Sequence, residues 1–387
     1  MRAWAELLRV SALFTVPGDA LAGAAAVGRR PNRSTALAVG ASLCLYEAGM
    51  ALNDWADRDE DAVDRPHRPI PSGRITPRAA LTAAGALTVA GLALAARAGR
   101  PALTVATGLA ATVWAYDLRL KHTPAGPAAM AAARGLDLLL GATATATAPV
   151  ASVSAEAPVA AVSDVASASV GASARAVLPA ALPAAAMLTA HTYAVTAVSR
   201  HEAQGGSTTA PLAALGAVVA LGGAALRERQ GEAGGSPYPG RGGAVVVGSR
   251  AGATDLADAP GSRAGATAPA GARTGSGGTV PAGSTAPAGA RTGPTASARA
   301  RSGPTAPARL LLTALTGVYL RTAARPLGHA VLNPSPPLTQ RAVGSGIRAM
   351  IPLQAALAAR AGAPGTALAV MGLVPLARSL ARKVSPT

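Results

Sequence analysis

The densest polar stretch of the chain directly follows an apolar run that ends at Leu52. It reads Asn53-Asp54-Trp55-Ala56-Asp57-Arg58-Asp59-Glu60-Asp61-Ala62-Val63-Asp64-Arg65-Pro66-His67-Arg68-Pro69-Ile70-Pro71-Ser72-Gly73-Arg74. Within it, Asn53, Asp57 and Asp61 recur every four residues. A step of four residues advances only about 40° around a helix axis, so these three side chains share one face. The spacing therefore predicts a carboxylate-rich helical face at the end of an apolar helix.

This face requires a cation, because two carboxylates one helical turn apart repel each other. Mg²⁺ is a natural candidate, since it binds one or two carboxylates together with substrate phosphates. The arginines that follow, Arg65, Arg68 and Arg74, carry forked donors that suit phosphate oxygens. The pattern favours a metal and diphosphate site at a membrane surface. The alternative is a solvated loop whose acids and arginines pair with one another.

Long apolar runs lie on both sides of this stretch. Half of the 387 residues are apolar and 14% are charged, whereas a soluble domain carries about 25% charged residues. Most of the runs approach the roughly 17 to 25 residues that cross a bilayer. The runs are 7–28, 36–52, 79–98, 101–116, 126–150, 176–198, 210–226, 310–331, 349–361 and 366–380. We predict an all-α polytopic membrane protein with about nine transmembrane helices, the last two runs being short. A soluble Ala-rich bundle is the alternative, but its helices would show regularly spaced charged faces.

Three further features of the sequence exclude some classes of protein. They are the N-terminal run, the net charge and the cysteine content. Residues 1–28 lack the ordered cleavage signal of a secretory leader, so we expect a retained first helix. The net charge of +17 rests almost entirely on arginine, and only 2% of residues are aromatic. Because nucleic-acid binding combines basic grooves with stacking aromatics, we expect no nucleic-acid partner. With Cys44 as the single cysteine, neither an intramolecular disulfide nor a cysteine-based zinc site can form.

One region of different composition interrupts the apolar runs. Residues 227–308 consist mainly of Gly, Ala, Pro, Ser, Thr and Arg, and the segment TAPAGARTG occurs in them twice. This composition cannot bury enough apolar area to offset chain entropy. We predict a transmembrane domain formed by residues 1–226 and 309–387, with a disordered insert at 227–308. A second Ala/Ser/Val-rich stretch, 143–174, is predicted to form an extended loop.

The motif residues resemble those of a known family, the UbiA superfamily of intramembrane prenyltransferases. The first aspartate-rich motif of that superfamily is closely similar to Asn53-Asp54-x-x-Asp57-x-x-x-Asp61 followed by Arg65-x-x-Arg68-Pro-x-x-Ser-Gly73. A family segment after the fourth helix is similar to Tyr116-x-x-x-Leu120-Lys121. The resemblance implies a nine-helix bundle with a central cavity open laterally to lipid. It also implies transfer of a prenyl group from a polyprenyl diphosphate to an acceptor.

The resemblance further implies roles for individual residues. Asn53, Asp57 and Asp61 match the positions that coordinate Mg²⁺ on the diphosphate. Arg68 matches a diphosphate-binding arginine, and Lys121 matches a basic residue on the same side of the cavity. On this basis we predict Mg²⁺ as the cofactor and Asp57, Asp61 and Lys121 as catalytic residues.

The second acidic motif departs from the family pattern. The corresponding segment reads Val198-Ser199-Arg200-His201-Glu202-Ala203-Gln204-Gly205-Gly206. Alignment on its last glycine places Glu202 at the final acidic position and Val198 where the family has another aspartate. We predict Glu202 as a metal ligand, and Arg200, together with Arg65 and Lys121, as diphosphate-binding residues. The variant S-R-x-E-x-x-G-G resembles a bacterial subgroup associated with Ebo-type operons, and the alternative is an ordinary interhelical loop.

Together these features predict an intramembrane, Mg²⁺-dependent prenyltransferase. Its partners would be a prenyl diphosphate, an unidentified aromatic or polar acceptor, and the lipid bilayer, while the oligomeric state is not readable from the sequence. The resemblance implies a multi-pass protein of the bacterial inner membrane with cytoplasmic site loops. The valine at position 198 leaves a second function open, a non-catalytic or transport-like protein that retains a prenyl-diphosphate site.

Overall fold

The computed structural model of the protein describes residues 2–146, 159–202, 205–227 and 306–384. Regular structure within these ranges is entirely helical, which confirms the all-α class. The helices before the first gap are α1 (Arg2–Leu7), α2 (Pro17–Ala26), α3 (Arg33–Ala56), α4 (Arg58–Asp64), α5 (Pro77–Ala98), α6 (Arg100–Ala115) and α7 (Gly126–Ala146). The later helices are α8 (Val159–Ser199), α9 (Thr209–Leu226), α10 (Ala306–Leu332), α11 (Pro336–Arg360) and α12 (Pro364–Val384).

Several helices are suited to a membrane. Among the described residues, five helical segments are long and apolar enough to cross one: α3, α5, residues 177–199 of α8, α9 and α11. Helices α6, α7, α10 and α12 pack beside these segments. The architecture confirms a polytopic membrane protein, while the count of nine spans stays a prediction.

The prediction of one continuous helix over residues 7–28 is wrong. This segment divides into α1, a 3-10 helix (Val10–Thr15) and α2. The first break lies at Arg9, whose φ of 48° is left-handed and so incompatible with a continuing right-handed helix. The second precedes Pro17, whose fixed φ and missing N–H suit the first turn of a helix but not its interior.

Helix α3 delivers the aspartate-rich stretch to one end of the bundle. At its start, the Asn32 side chain accepts a 3.0 Å hydrogen bond from the Thr35 amide, and the Thr35 hydroxyl accepts one of 2.9 Å from the Asn32 amide. At its end, Asp57 links α3 to the short α4. The amide of Asp57 donates to the carbonyl of Asn53, and the amide of Asp61 donates to that of Asp57. Helical hydrogen bonding therefore continues through the junction, as the four-residue spacing predicts.

Close packing between α2 and α7 depends on glycine. A Cβ atom added at Gly141 would lie 2.3 Å from the Cα of Ala20, and one at Gly23 would lie 2.1 Å from the carbonyl oxygen of Leu138. Small residues allow helix backbones to approach closely in lipid, where the hydrophobic effect does not drive helices together. The two helices therefore meet nearly backbone to backbone.

Three predicted boundaries differ in the structure. The predicted loop over 143–174 is wrong at both ends, since α7 continues to Ala146 and α8 begins at Val159, and residues 147–158 lie outside the described residues. Its alanines are strong helix formers, which favours the extension of both helices. The short run 349–361 is the second half of a longer helix, since α11 extends from Pro336 to Arg360. Most of the predicted insert, residues 228–305, lies outside the described residues.

Candidate active site

Five predicted residues from three segments of the chain surround one cavity at the end of α3. This polar cavity has a volume of about 350 Å³. The predicted residues that line it are Asn53, Asp57, Arg65, Lys121 and Arg200. Tyr116, Thr196 and Ser199 contribute further polar groups to its wall. The structure thus brings the first motif, the Lys121 segment and the Arg200 segment together, although they are far apart in sequence.

Asp57 is ion-paired across this polar cavity. The ammonium of Lys121 contacts Oδ1 of Asp57, and Nε2 of His122 lies 3.9 Å from the same oxygen. The Asp57 side chain is nevertheless 19% exposed, so it remains accessible from the cavity. Asp57 and Lys121 can therefore exchange partners when a cation and an anion enter together.

Asp61 and Arg68 form a second ion pair of the motif, and neither residue lines the polar cavity. Nη1 of Arg68 donates to Oδ2 of Asp61 over 2.6 Å, and Nη1 of Arg65 lies 3.5 Å from Oδ1 of Asp61. Both carboxylate oxygens of Asp61 are thus engaged, and its side chain is buried. The prediction that Asp61 binds Mg²⁺ and Arg68 binds diphosphate stays a prediction.

Arg9 joins the motif from the N-terminal segment, and the sequence reasoning did not assign it to the site. Its Nη2 donates to Oδ1 of Asp54 over 2.9 Å and to Oδ1 of Asn53 over 3.5 Å. Asp54 is also 3.4 Å from Nη1 of Arg68. An arginine inside an apolar run was the available signal, because intramembrane charges generally mark functional sites.

A second, largely apolar cavity of about 440 Å³ lies next to the polar one. Its apolar wall comes from α3, α6, α7, α8 and α11, with residues Leu45, Met50, Leu109, Val113, Met130, Ala133, Val195, Val343, Ile347 and Met350. Four residues line both cavities: Asn53, Tyr116, Thr196 and Ser199. A charged compartment is therefore adjacent to an apolar one inside the helical bundle.

A buried polar network lies in the wall of the apolar cavity. Arg134 is ion-paired with Asp19, and Ser42 donates to Asp137. Nε2 of Gln354 donates to Oδ1 of Asp19 over 2.6 Å. Arg134 and Asp137 are 3.9 Å apart, so Asp19 is the closer partner of that arginine. Because these residues lie on α2, α3, α7 and α11, the network joins four helices around the cavity.

The second motif contributes one carboxylate to the site. Glu202 lines the apolar cavity, and burial raises the pKa of its carboxyl. Arg200 donates to the backbone carbonyl of Thr123, which holds its guanidinium at the polar cavity. The amide of Gly206 donates to the carbonyl of Pro334 over 2.7 Å. Val198 is fully buried in the hydrophobic core and lines neither cavity.

Asp117 is a further acid of the site that the sequence reasoning did not assign. It lies in a π-helical turn, Tyr116–Leu120, in which the amide of Lys121 donates to the carbonyl of Tyr116 five residues earlier. Oδ1 of Asp117 accepts a 3.2 Å hydrogen bond from Nδ2 of Asn53. Burial raises the pKa of Asp117 to about 7. Its position directly after an apolar run was the available signal.

The donor set suits a hard divalent cation. Asn53 and Asp57 supply side-chain oxygens at the polar cavity, and Mg²⁺ prefers such ligands. Ligand atoms of Asp57, Glu60 and His122 also lie within 4.8 Å of one another, although Glu60 and His122 are exposed. The residues present at the cavity therefore fit Mg²⁺ held between carboxylate and amide oxygens.

Comparison with known proteins adds a family match. The model of the UbiA prenyltransferase family matches residues 11–226. Digeranylgeranylglyceryl phosphate synthase of Methanopyrus kandleri is 37% identical over 129 residues, covering 32% of this chain and 46% of that protein. The synthase of the same name from Ignicoccus hospitalis is 33% identical over 147 residues, covering 38% of this chain and 48% of that protein. The chain thus spans about half the length of the curated relatives it matches.

The solved structures that resemble this chain are more distant. A solved digeranylgeranylglyceryl phosphate synthase has a TM-score of 0.49 at 13% identity, covering 93% of this chain and 97% of the other. A UbiA homologue from Archaeoglobus fulgidus bound to GPP and Mg²⁺ has a TM-score of 0.36 at 18% identity, covering 61% of this chain and 91% of the other.

Proposed function

The chain belongs to the UbiA prenyltransferase family, and we propose from this that it transfers a prenyl group from a prenyl diphosphate to an acceptor within the membrane. One observation carries the proposal: a cavity with cationic and carboxylate side chains adjoins an apolar cavity, and four residues line both. A prenyl diphosphate has the same two parts, a charged head and an apolar chain. A site for such a molecule needs both compartments next to each other.

The diphosphate head would lie in the polar cavity. Lys121, Arg65 and Arg200 line it and provide cationic donors for phosphate oxygens. The prenyl chain would lie in the apolar cavity, where its burial is favourable because apolar surface leaves water. The acceptor would enter the same cavity, since the residues shared by the two compartments lie where head and chain join.

Mg²⁺ is the proposed cofactor, and Asn53 and Asp57 are the residues best placed to hold it. When bound, it would offset the negative charge that develops on the leaving diphosphate. Lys121 would then leave Asp57 for a phosphate oxygen, so that both cations act on the leaving group. Asp61 and Arg68 match the family motif, and we propose Asp61 as a further Mg²⁺ ligand and Arg68 as a further diphosphate-binding residue.

The reaction breaks the bond between the first carbon of the prenyl chain and the diphosphate oxygen, which leaves with the electron pair. The acceptor nucleophile forms a new bond to that carbon and loses a proton. Preorganised donors at the leaving group lower this barrier, and one such donor contributes about 3 kcal/mol in studied enzymes. The apolar cavity excludes water, which would otherwise trap the allylic cation.

The relatives suggest which acceptors to test, and the family suggests where the protein lies. The relatives in the comparison are named digeranylgeranylglyceryl phosphate synthases, so a prenylated glyceryl phosphate belongs among the acceptors to be tested, beside aromatic compounds. The protein would be a multi-pass membrane protein with its site loops in the cytoplasm. The bacterial subgroup suggested by the second motif stays a prediction.

The test is pyrophosphate release by the detergent-purified full chain with Mg²⁺, prenyl diphosphates of several lengths and a panel of acceptors. Asp57→Asn should lower the rate by about a hundredfold or more, by analogy with loss of one charge-stabilising group. Asp59→Asn is the matched control, since the Asp59 side chain is 87% exposed and its ion pair among the described residues is with the neighbouring Arg58. Mg²⁺-dependent donor binding without release for any acceptor would overturn the transferase proposal in favour of a binding or transport function.

A further inference from the structure

The outer face of α10 carries cations within an otherwise apolar helix. Arg321, Arg325 and His329 recur every four residues, and all three are exposed. Neither arginine has an ion-pair or hydrogen-bond partner among the described residues. Residues 306–387 contain nine arginines and lysines and no acidic residue. The charge that compensates these two arginines therefore comes from outside the C-terminal part of the chain.

The same face of α10 is apolar in its first half. Leu310, Ala314 and Val318 are exposed there. On an ideal helix, these three positions and the three cationic ones fall within an arc of about 100°. The opposite face of α10 packs inside the bundle through the buried residues Leu315, Tyr319, Ala323 and Leu327. The outer face is thus divided along the helix axis into an apolar half and a cationic half.

The cationic half lies towards the end of the bundle that holds the candidate site. Just after α10, the carbonyl of Pro334 accepts a 2.7 Å hydrogen bond from the amide of Gly206 in the second motif. The 27 residues of α10 span about 40 Å, more than the roughly 30 Å of a hydrocarbon core. Arg325 lies about 10 Å and Arg321 about 16 Å from the end of the helix at Leu332. From such depths, an arginine side chain can extend towards the lipid headgroups while its stem stays in apolar surroundings.

A phosphate group is the counterion that suits this arrangement. An arginine that faces hydrocarbon without a partner is costly, and its forked donors match phosphate oxygens. A neutral His329 adds one further N–H donor. A headgroup with a net negative charge is favoured over a zwitterionic one, because the arginines repel a choline cation. A second copy of the chain would bring no counterion to this face, since the exposed acids of the described residues lie on α1 and α4.

We propose that the outer face of α10 binds an anionic phospholipid from the leaflet on the side of the candidate site. The phosphate of the lipid lies against Arg321, Arg325 and His329, and an acyl chain runs along Val318 and Ala314. The order of the two halves along the helix matches the order of headgroup and chain in such a lipid. Because this face is on the outside of the bundle, the inference does not depend on the proposed function.

The test compares two phospholipids that differ in headgroup charge. The detergent-purified, delipidated full chain is titrated with phosphatidylglycerol or with phosphatidylcholine, and native mass spectrometry measures the dissociation constant of the first bound lipid. The wild type should bind phosphatidylglycerol at least tenfold more tightly than phosphatidylcholine. Replacing both arginines, Arg321→Gln with Arg325→Gln, should raise the dissociation constant for phosphatidylglycerol at least tenfold and remove the preference.

The matched control removes two exposed arginines at the turn between α5 and α6, Arg97→Gln with Arg100→Gln, and should keep the preference. Arg321→Lys with Arg325→Lys should also keep it, because lysine binds phosphate as a point charge. Melting curves identify a variant that fails to fold, and the wild-type comparison of the two lipids needs no variant. Equal affinity of the wild type for both lipids, or an unchanged preference in the double glutamine variant, would overturn the inference. So would a wild-type dimer that the double glutamine variant separates without any change in lipid binding, since a second copy would then cover this face.

Discussion

Nη2 of Arg9 lies 2.9 Å from Oδ1 of Asp54, and this ion pair joins the N-terminal segment to the aspartate-rich motif. The same segment makes a second pair three residues earlier, where Arg74 donates to both carboxylate oxygens of Glu6 over 2.7 and 3.1 Å. Between them, Leu7 is fully buried in an apolar cluster that includes Leu52. The N-terminal segment is therefore part of the site's framework.

Replacing Arg9 should impair catalysis by disturbing the motif. Without its guanidinium, Asp54 keeps only the 3.4 Å contact with Arg68, and Asn53 loses a donor. We expect Arg9→Ala to lower kcat/KM for pyrophosphate release about tenfold or more, which corresponds to about 1.4 kcal/mol. Arg9→Lys should recover part of the rate. Arg30→Ala, at an exposed position before α3, is the control, and an equal loss in that variant would contradict the prediction.

Lys121 should have opposite effects on metal binding and on catalysis. Its ammonium occupies an oxygen of Asp57, so Lys121→Met should increase the affinity for Mn²⁺ in the absence of diphosphate. The same change removes a donor from the leaving group and should lower pyrophosphate release by about a hundredfold. Arg119→Met is the control and should change neither quantity, because Arg119 is exposed and lines neither cavity. Weaker Mn²⁺ binding in Lys121→Met would show that the lysine supports the metal site instead.

The glycine contact between α2 and α7 should control stability. Gly141→Ala would place a methyl group 2.3 Å from the Cα of Ala20, a backbone atom that cannot move independently. Overpacking of this kind costs about 1–3 kcal/mol, and thermal unfolding in detergent should show a lower Tm. Gly108→Ala in α6 meets no atom within 4 Å and serves as the control. Equal Tm values for both variants would contradict the prediction, because α2 and α7 could then move apart without a loss of stability.

Attachment of the N-terminal segment should depend on pH through Glu6. The hydrogen bond from Arg74 holds the pKa of Glu6 below its usual value of 4.5. Since the folded-state pKa is the lower one, the pair stabilises the fold above the unfolded pKa and this stabilisation is lost as the pH falls through the folded pKa.

Glu6→Gln should therefore show a slightly lower Tm than the wild type at pH 7, and the difference should vanish as the pH falls through the folded-state pKa of Glu6. The effect should be small because exposed ion pairs contribute little. Glu60→Gln, at an exposed position of α4, should show no such dependence. A difference between Glu6→Gln and the wild type that grows as the pH falls would contradict this assignment.

Local features of the sequence were sufficient for the class of protein and for half of the site. Long apolar runs predict spanning helices because a bilayer requires continuous apolar surface. The four-residue spacing of Asn53 and Asp57 predicts a shared face because helical geometry is regular. Both predictions need no knowledge of distant residues. The helix break at Arg9 was not predicted, because a residue in the left-handed conformation interrupts a helix without changing the apolar composition of the segment.

Pairing between distant segments was decided by the tertiary structure. Asp57 and Asp61 occupy equivalent positions in the motif. In the structure, both carboxylate oxygens of Asp61 are ion-paired with arginines, whereas Asp57 lines the polar cavity. Asp117 entered the site through a π-helical turn that no local pattern predicted. Burial and charge pairing depend on how helices from across the chain pack, so the motif identified the chemistry, and the fold selected the carboxylates that remain available for it.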